Sequence, residues 1–266
     1  MAIRSLERLA SAGVRGNISL KPTQLGLEID DGLCRENVER ILVRANELSE
    51  TPGEIFVRLD MESSEFTERT IGLVEEMWGR GHRNIGTAVQ SYLKRTPRDI
   101  ERLNALGSRV RLVKGAYREP PSVAYTRKAD VDRMFVECMK MLLENGVYPA
   151  IATHDEQMIA ATRRYAFEQG IPRESFEFQM LYGIRRDLQQ RLREEGYNVR
   201  VYLPYGSAWY PYLMRRLAER PSNLFFVASN IARESPISRV TKPVALGAGV
   251  VAGALATLIW RGRNSK

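Results

Sequence analysis

Short runs of β-branched residues alternate with amphipathic helical stretches along most of the chain, and this alternation limits the possible folds more than any other feature. Seven runs are predicted as strands: Ile18–Lys21, Ile55–Asp60, Asn84–Gln90, Val110–Gly115, Tyr148–Thr153, Phe176–Leu181 and Asn198–Pro204. The predicted helices between them include Arg35–Glu50, Glu65–Arg80, Asp130–Asn145 and Glu156–Gln169, with left-handed glycine ends at Gly81, Gly146, Gly170 and Gly196. Strands that alternate with helices indicate βα units and a parallel sheet.

Seven strands, each followed by a helix, predict a (β/α)8 barrel of the TIM type that lacks its first strand in this chain. The alternative is an open doubly wound sheet, which usually has a glycine-rich turn after its first strand. No G-x-G-x-x-G follows the early strands, so the barrel is favoured. The missing strand would precede the predicted helix Arg4–Ala12. We therefore expect that the chain is a fragment or has a misplaced start.

The charge pattern divides the chain into three parts. The barrel domain is assigned to residues 1–230 and a proline-containing linker to residues 231–243. Residues 244–260 carry no charge and lie between Lys242 and Arg261. As a C-terminal hydrophobic helix they would extend about 25 Å, at the short end for a bilayer span. A transmembrane tail is the favoured interpretation, and a buried helix or a flexible Gly/Ala tail is the alternative.

Composition excludes several classes of function. The net charge is +8 and the calculated pI about 9.6, but the basic residues alternate with acidic ones and no nucleic-acid-binding motif is present. We predict no nucleic-acid partner. The two cysteines, Cys34 and Cys138, match no metal-ligand spacing, and the chain has only two histidines. Free thiols and no metal site are therefore expected.

Polar residues follow nearly every predicted strand, at the end where barrels of this type place their functional groups. Arg111 and Lys114 belong to one strand, and their spacing of three predicts that they point to opposite faces. Arg111 is either a functional cation or a structural charge paired with Asp60. His154 is either a ligand contact or a satisfied core histidine. The set as a whole indicates a site.

The helix that follows the last predicted strand carries a second cluster of charges. Leu213, Leu217, Tyr210, Met214 and Ala218 fall on one side of it, and Arg215, Glu219, Tyr212 and Arg216 on the other. Glu219 lies one turn after the two arginines and is placed to brace either guanidinium. Two adjacent arginines suit a bound carboxylate. A solvated polar face with an ion pair is the alternative.

Seven sequence motifs, in order, resemble the monofunctional bacterial proline dehydrogenases and cover roughly Ile18 to Asn230. They begin at Ile18, Phe56, Arg111, Ala152, Phe176, Tyr202 and Trp209, and read ISLKPTQLG, FVRLDME, RLVKGAYR, ATHD, FEFQMLYG, YLPYG and WYPYLMRRLAER. The resemblance implies a (β/α)8 barrel that binds FAD noncovalently at the carboxyl ends of its strands.

The resemblance also implies roles for individual residues. Asp60 and Arg111 match active-site positions. The proline carboxylate would be held by Lys21, Arg215 and Arg216, with Glu219 as a brace, and the substrate ring would pack on Tyr202 and Leu181. The positions that match flavin contacts are Met61, Gln90, Arg95, Lys114, Gly115, Ala116, Thr153 and His154.

The implied reaction is hydride transfer from C5 of L-proline to flavin N5, which gives 1-pyrroline-5-carboxylate. The reduced flavin would then pass electrons to a membrane quinone, with the enzyme on the cytoplasmic face of the bacterial inner membrane. Two other functions stay open. One is a dehydrogenase of hydroxyproline or another cyclic imino acid. The other is a truncated, inactive barrel that acts as a membrane-tethered interaction protein.

Overall fold

The computed structural model describes residues 1–13, 16–50 and 54–204. Its strands are β1 (Asn17–Leu20), β2 (Phe56–Leu59), β3 (Ile85–Gln90), β4 (Val110–Val113), β5 (Ala150–Ala152), β6 (Glu177–Leu181) and β7 (Asn198–Tyr202). Its helices are α1 (Ala2–Ser11), α2 (Asp31–Glu47), α3 (Ser64–Gly79), α4 (Thr96–Leu106), α5 (Lys128–Asn145), α6 (Glu156–Glu168) and α7 (Arg186–Glu194). All seven predicted strands are confirmed, with ends that shift by one or two residues in most cases.

The strands form one parallel sheet in the order β1 to β7, so that each strand pairs with the next in sequence. Side chains alternate between the two faces of a strand. One face, formed by residues such as Val57, Leu112 and Phe178, belongs to the apolar core shared with the helices. The opposite face carries Arg58, Arg111 and other polar residues. The predicted parallel α/β sheet is therefore confirmed for the described part of the chain.

The sheet is strongly curled, as shown by a contact between distant strands. The Tyr202 hydroxyl, at the end of β7, donates to Asp60 Oδ2, just after β2, at 3.2 Å. In a flat sheet, five strand spacings of about 4.8 Å would separate these strands by about 24 Å, which two side chains cannot span. The polar face is therefore concave, and residues from both halves of the sheet meet across it.

Several helix ends follow local sequence signals. The side chain of Asp30 accepts from Leu33 N at 2.8 Å and so caps the first turn of α2. Gly81, Gly170 and Gly196 have positive φ angles, as expected for glycines that end helices. The same expectation is wrong for Gly146, whose φ is −90°. Glycine is needed there because an added Cβ would lie 2.5 Å from Leu142 O.

The described ranges contain no helix that is both long and apolar enough to cross a membrane. The predicted linker 231–243 and the predicted tail helix 244–260 lie outside those ranges. Both therefore stay predictions.

Candidate active site

The concave face has Arg111 at its centre, and its guanidinium is held by three side chains from three other strands or strand ends. Arg111 Nε donates to Gln179 Oε1 at 2.6 Å, Nη1 to Asp60 Oδ1 at 2.6 Å, and Nη2 to Ser19 Oγ at 2.8 Å. The Tyr202 ring lies 5.3 Å from the guanidinium carbon. The pairing of Arg111 with Asp60, weighed from sequence as a structural alternative, is therefore present.

Sequence reasoning assigned no role to Gln179 or Ser19. Gln179 lies 68 positions from Arg111 and Ser19 lies 92 positions from it. The alternation of side chains along each strand was the sequence signal that could have placed both residues on the same face as Arg111. The register that aligns their strands was not readable from sequence.

Small side chains flank Arg111 on the concave face. Ala88 of β3 and Ala150 of β5 are the register partners of Arg111 on the two neighbouring strands. Both are buried. Because both side chains are small and apolar, these two positions add no polar or charged partner to the Arg111 guanidinium.

Lys21 lies at the rim, directly after β1, and its ammonium group faces two partners. Lys21 Nζ donates to the Tyr117 hydroxyl at 3.3 Å and lies 3.6 Å from Glu62 Oε1. Glu62 is itself fixed by Thr23, whose backbone N–H and hydroxyl donate to it at 3.1 and 3.0 Å. The lysine is therefore oriented but partly exposed. Neither Tyr117 nor Glu62 has a role predicted from the sequence.

Lys114 points away from the concave face, as its spacing from Arg111 predicted. Its ammonium group donates to Asp132 of α5 at 2.5 Å and to Asp155, at the start of α6, at 2.7 Å. Burial alone would raise the pKa of each aspartate, but Lys114 outweighs it and holds both pKa values below their usual range. Lys114 thus joins the loop after β4 to two helices.

Gly115 is required by the turn that follows β4. Its φ is +110°, and an added Cβ would lie 2.2 Å from the Tyr92 ring. Tyr92 N also donates to Lys114 O at 3.0 Å. The Tyr92 ring therefore packs directly against this glycine. Ala116 follows directly in the same loop.

Five predicted flavin contacts remain. Four of them lie near the carboxyl ends of strands, and the fifth, Arg95, lies in the helix layer. Gln90 Nε2 donates to Glu62 O at 2.8 Å, and His154 Nε2 accepts from Leu181 N at 2.9 Å. Thr153 Oγ1 accepts from Asp155 N at 3.1 Å, and Met61 is buried in the apolar core. Gln90 is the last residue of β3, and the other three residues lie just after β2 and β5.

Arg95 lies apart from that group. Its guanidinium bonds to Asp99 Oδ2 at 2.8 Å and also to Glu68 of α3, so it is engaged in the helix layer. Arg215, Arg216 and Glu219 lie outside the described residues. Their role as a carboxylate clamp stays a prediction.

Comparison with known proteins identifies the family. A sequence profile described as proline dehydrogenase matches residues 2–229. The chain belongs to the proline dehydrogenase family. Proline dehydrogenase 2 of Bacillus subtilis strain 168 is 43% identical over 232 residues, which is 87% of this chain and 75% of that protein. Proline dehydrogenase of Deinococcus radiodurans is 41% identical over 235 residues, 87% of this chain and 74% of the relative.

Solved structures agree with this family. Proline utilization A of Bdellovibrio bacteriovorus, crystallised after inactivation by N-propargylglycine, superposes with a TM-score of 0.75 at 27% identity. The match covers 93% of this chain and 30% of that one, so this chain corresponds to less than a third of the larger protein. The family is one of enzymes, and the concave cluster around Arg111 is the candidate active site.

Proposed function

We propose that the chain oxidises L-proline to 1-pyrroline-5-carboxylate with bound FAD and passes the electrons to a membrane quinone. The observation that carries the proposal is the cluster of Arg111, Asp60 and Tyr202 on the concave face, in a chain of the proline dehydrogenase family. A fixed buried cation beside a carboxylate and an aromatic hydroxyl suits a small zwitterionic substrate that must lie in one orientation.

The residues around Arg111 fit a flavin by their chemistry. Gln90 at the end of β3, and Thr153 and His154 just after β5, place polar side chains at the carboxyl ends of the strands, and the register partners of Arg111, Ala88 and Ala150, are small. Arg111 would supply positive charge to the bound flavin, and Lys114, which bonds to Asp132 and Asp155 on the helix side, would hold the loop after β4 in place. When bound, FAD supplies the two-electron acceptor for a hydride that leaves proline C5.

The chain's own residues would bind and orient the substrate. Lys21, at the rim, would bind the proline carboxylate with the predicted help of Arg215 and Arg216, and Tyr202 and Leu181 would pack against the ring. The amine must lose a proton before its lone pair can drive hydride departure. Asp60, Tyr202 acting through its hydrogen bond of 3.2 Å to Asp60, and water are the groups proposed to take that proton.

We also infer that the seven strands form part of an eight-stranded barrel. The curl that brings Tyr202 to Asp60 favours this geometry. An eighth strand between β7 and β1 would complete the ring.

The quinone and membrane parts of the proposal depend on the uncharged stretch 244–260. A tail of this kind would hold the enzyme on the cytoplasmic face of the bacterial inner membrane, close to the quinone pool. Deletion from Pro243 onward should move the protein from the membrane fraction to the soluble fraction. Unchanged partitioning would exclude the anchor and leave the catalytic proposal intact.

One spectroscopic experiment tests the catalytic proposal. The purified full chain should show flavin absorbance that bleaches on anaerobic addition of L-proline and returns when a soluble quinone is added. N-propargylglycine should abolish the bleaching. Faster bleaching with trans-4-hydroxyproline would instead identify the imino-acid rival, and a colourless protein that cannot take up added FAD would favour the non-enzymatic interaction protein.

A further inference from the structure

Arg58 is a buried guanidinium on the concave face, at the middle of β2. Only 1% of the residue is exposed. Its guanidinium carbon lies 5.4 Å from the centre of the Phe56 ring. Within the described part of the chain, neither Nε nor Nη1 of Arg58 has a hydrogen-bond partner.

The neighbouring carboxylates are already used by other arginines. Both oxygens of Glu177 accept from Arg200 Nε at 2.9 Å, and Oε1 also accepts from Gln179 at 2.5 Å. Asp60 accepts from Arg111 through one oxygen and from Tyr202 through the other. These described groups therefore comprise three guanidiniums and two carboxylates, and Arg58 is the guanidinium left over.

Charge at this position is costly without a counter-ion. An arginine cannot escape the cost by losing its proton, because its ordinary pKa is far above neutral pH. Burial, followed by the nearby positive charge of Arg111, lowers the pKa of Arg58 but does not supply the missing negative charge. Arg109 increases the imbalance, since its guanidinium carbon lies 5.3 Å from the same Phe56 ring. Water could accept hydrogen bonds from Arg58 but could not balance the charge.

We propose that Arg58 binds a small monovalent anion of the size of chloride within the concave face of the sheet. The anion accepts a hydrogen bond from Nε or from Nη1, whose N–H groups point to different sides of the guanidinium, and balances the third guanidinium. Only 1% of Arg58 is exposed and the Phe56 ring lies over one side of its guanidinium, so a small ion suits this position better than a large one. The proposal stands apart from the catalytic one because it requires neither flavin nor proline.

The first test is thermal unfolding of the full chain at constant ionic strength, with sodium gluconate replaced stepwise by sodium chloride. Gluconate is too large for the site. Chloride should raise the wild-type midpoint steadily with the logarithm of its concentration above the dissociation constant, by about 3–6 °C at a tenfold excess. Arg58→Met, which keeps the length of the side chain without its charge, should show no such rise. Arg164→Met, at an arginine side chain that is 74% exposed, should respond like wild type.

In gluconate alone, the unfolding midpoints of wild type and Arg58→Met should also differ in a definite direction. Without an anion, Arg58 is an uncompensated buried charge, so Arg58→Met should unfold at a higher temperature than wild type. Saturating chloride should remove or reverse that difference. An equal response to chloride in wild type and Arg58→Met, including no response in either, would overturn the proposal.

A direct measurement keeps the proposal testable if Arg58→Met does not fold. Wild-type crystals grown in sodium bromide should show an anomalous peak within hydrogen-bond distance of Arg58 Nε or Nη1. Only ordered water at that position, or bromide found only on the outer surface, would show that no anion binds there.

Discussion

Adjacent residues of β6 contrast the two faces of the sheet. Phe178 is fully buried, and its ring packs edge-on against Phe176 and Tyr197, with centroids 5.6 and 5.5 Å away. Gln179, one position later, is buried on the concave face and bridges Arg111 and Glu177. The first residue stabilises by packing, whereas the second contributes to an ionic network that is expensive to bury. Apolar packing on the outer face therefore stabilises the fold, and this stability offsets the cost of burying the charged groups on the concave face.

Phe178→Ala should have the largest effect on stability. It leaves a cavity between the sheet and the helices, and we expect a loss of about 3–5 kcal/mol in the free energy of unfolding, measured with urea. Phe167→Ala is the matched control, because Phe167 is 85% exposed, and should change stability by less than about 0.5 kcal/mol. A loss below about 1 kcal/mol for Phe178→Ala would contradict the role given to the outer face.

Arg111→Lys tests the concave face through activity. A lysine cannot bond at once to Gln179, Asp60 and Ser19, so the charge would remain but its position would be lost. We expect kcat/KM for proline to fall by about 100-fold. Ile151→Val, on the outer face of the neighbouring strand, should cost about 1 kcal/mol of stability and leave kcat/KM near normal. Equal kinetic effects of the two changes would mean that the faces are not functionally distinct.

Glu177→Gln tests the ionic network of the concave face through the pH dependence of the free energy of unfolding. Burial alone raises the pKa of Glu177, but Arg200 outweighs it and holds the pKa below its usual range. A depressed folded-state pKa gives stability that is complete above the unfolded-state pKa of about 4.3 and is lost as pH falls through the folded-state value. Wild type should therefore exceed Glu177→Gln by about 2 kcal/mol at pH 7, and the gap should narrow below about pH 4.

Urea unfolding at pH 7, 5 and 3.5 measures this difference in the free energy of unfolding between wild type and Glu177→Gln. Glu168→Gln is the control, because Glu168 lies on the helix surface with its side chain 55% exposed. The free energy of unfolding of Glu168→Gln should almost equal that of wild type at each of these pH values. A gap for Glu177→Gln that stays constant down to pH 3.5 would rule out the ionised pair as its source.

The same contrast explains what sequence could predict. Strands and helices follow local periodicity, so the seven strands and the opposite orientations of Arg111 and Lys114 were readable from spacing. The network around Arg111 was only partly readable, because it depends on the register of strands far apart in the chain. Asp60 was a candidate partner, but Gln179 and Ser19 were not. Arg58, inside a recognised motif, gave no local sign that it would be left without a carboxylate.

Glu119, in the loop after β4, links the rim of the concave face to helix α3. Its carboxylate accepts from Ser64 N at 2.7 Å and from Ser64 Oγ at 2.5 Å, at the start of α3. Ser63, the residue before the helix, makes no capping bond with its side chain. Glu119 therefore replaces the usual local cap, and the loop that it anchors also carries Tyr117, the partner of Lys21.

Glu119→Gln should have the smallest effect of the four changes, because the amide oxygen keeps one of the two acceptors. We expect a loss of about 1 kcal/mol in the free energy of unfolding, faster amide exchange in the first turn of α3, and a higher KM for proline with kcat almost unchanged. Glu65→Gln removes a charge from the same helix turn without touching the loop, so it isolates the effect of charge alone. If Glu65→Gln raised KM as much as Glu119→Gln, the helix would be sensitive to charge and the loop would not be the link. A rise confined to Glu119→Gln would show that the helix layer helps to set the position of Lys21, although α3 has no side chain on the concave face.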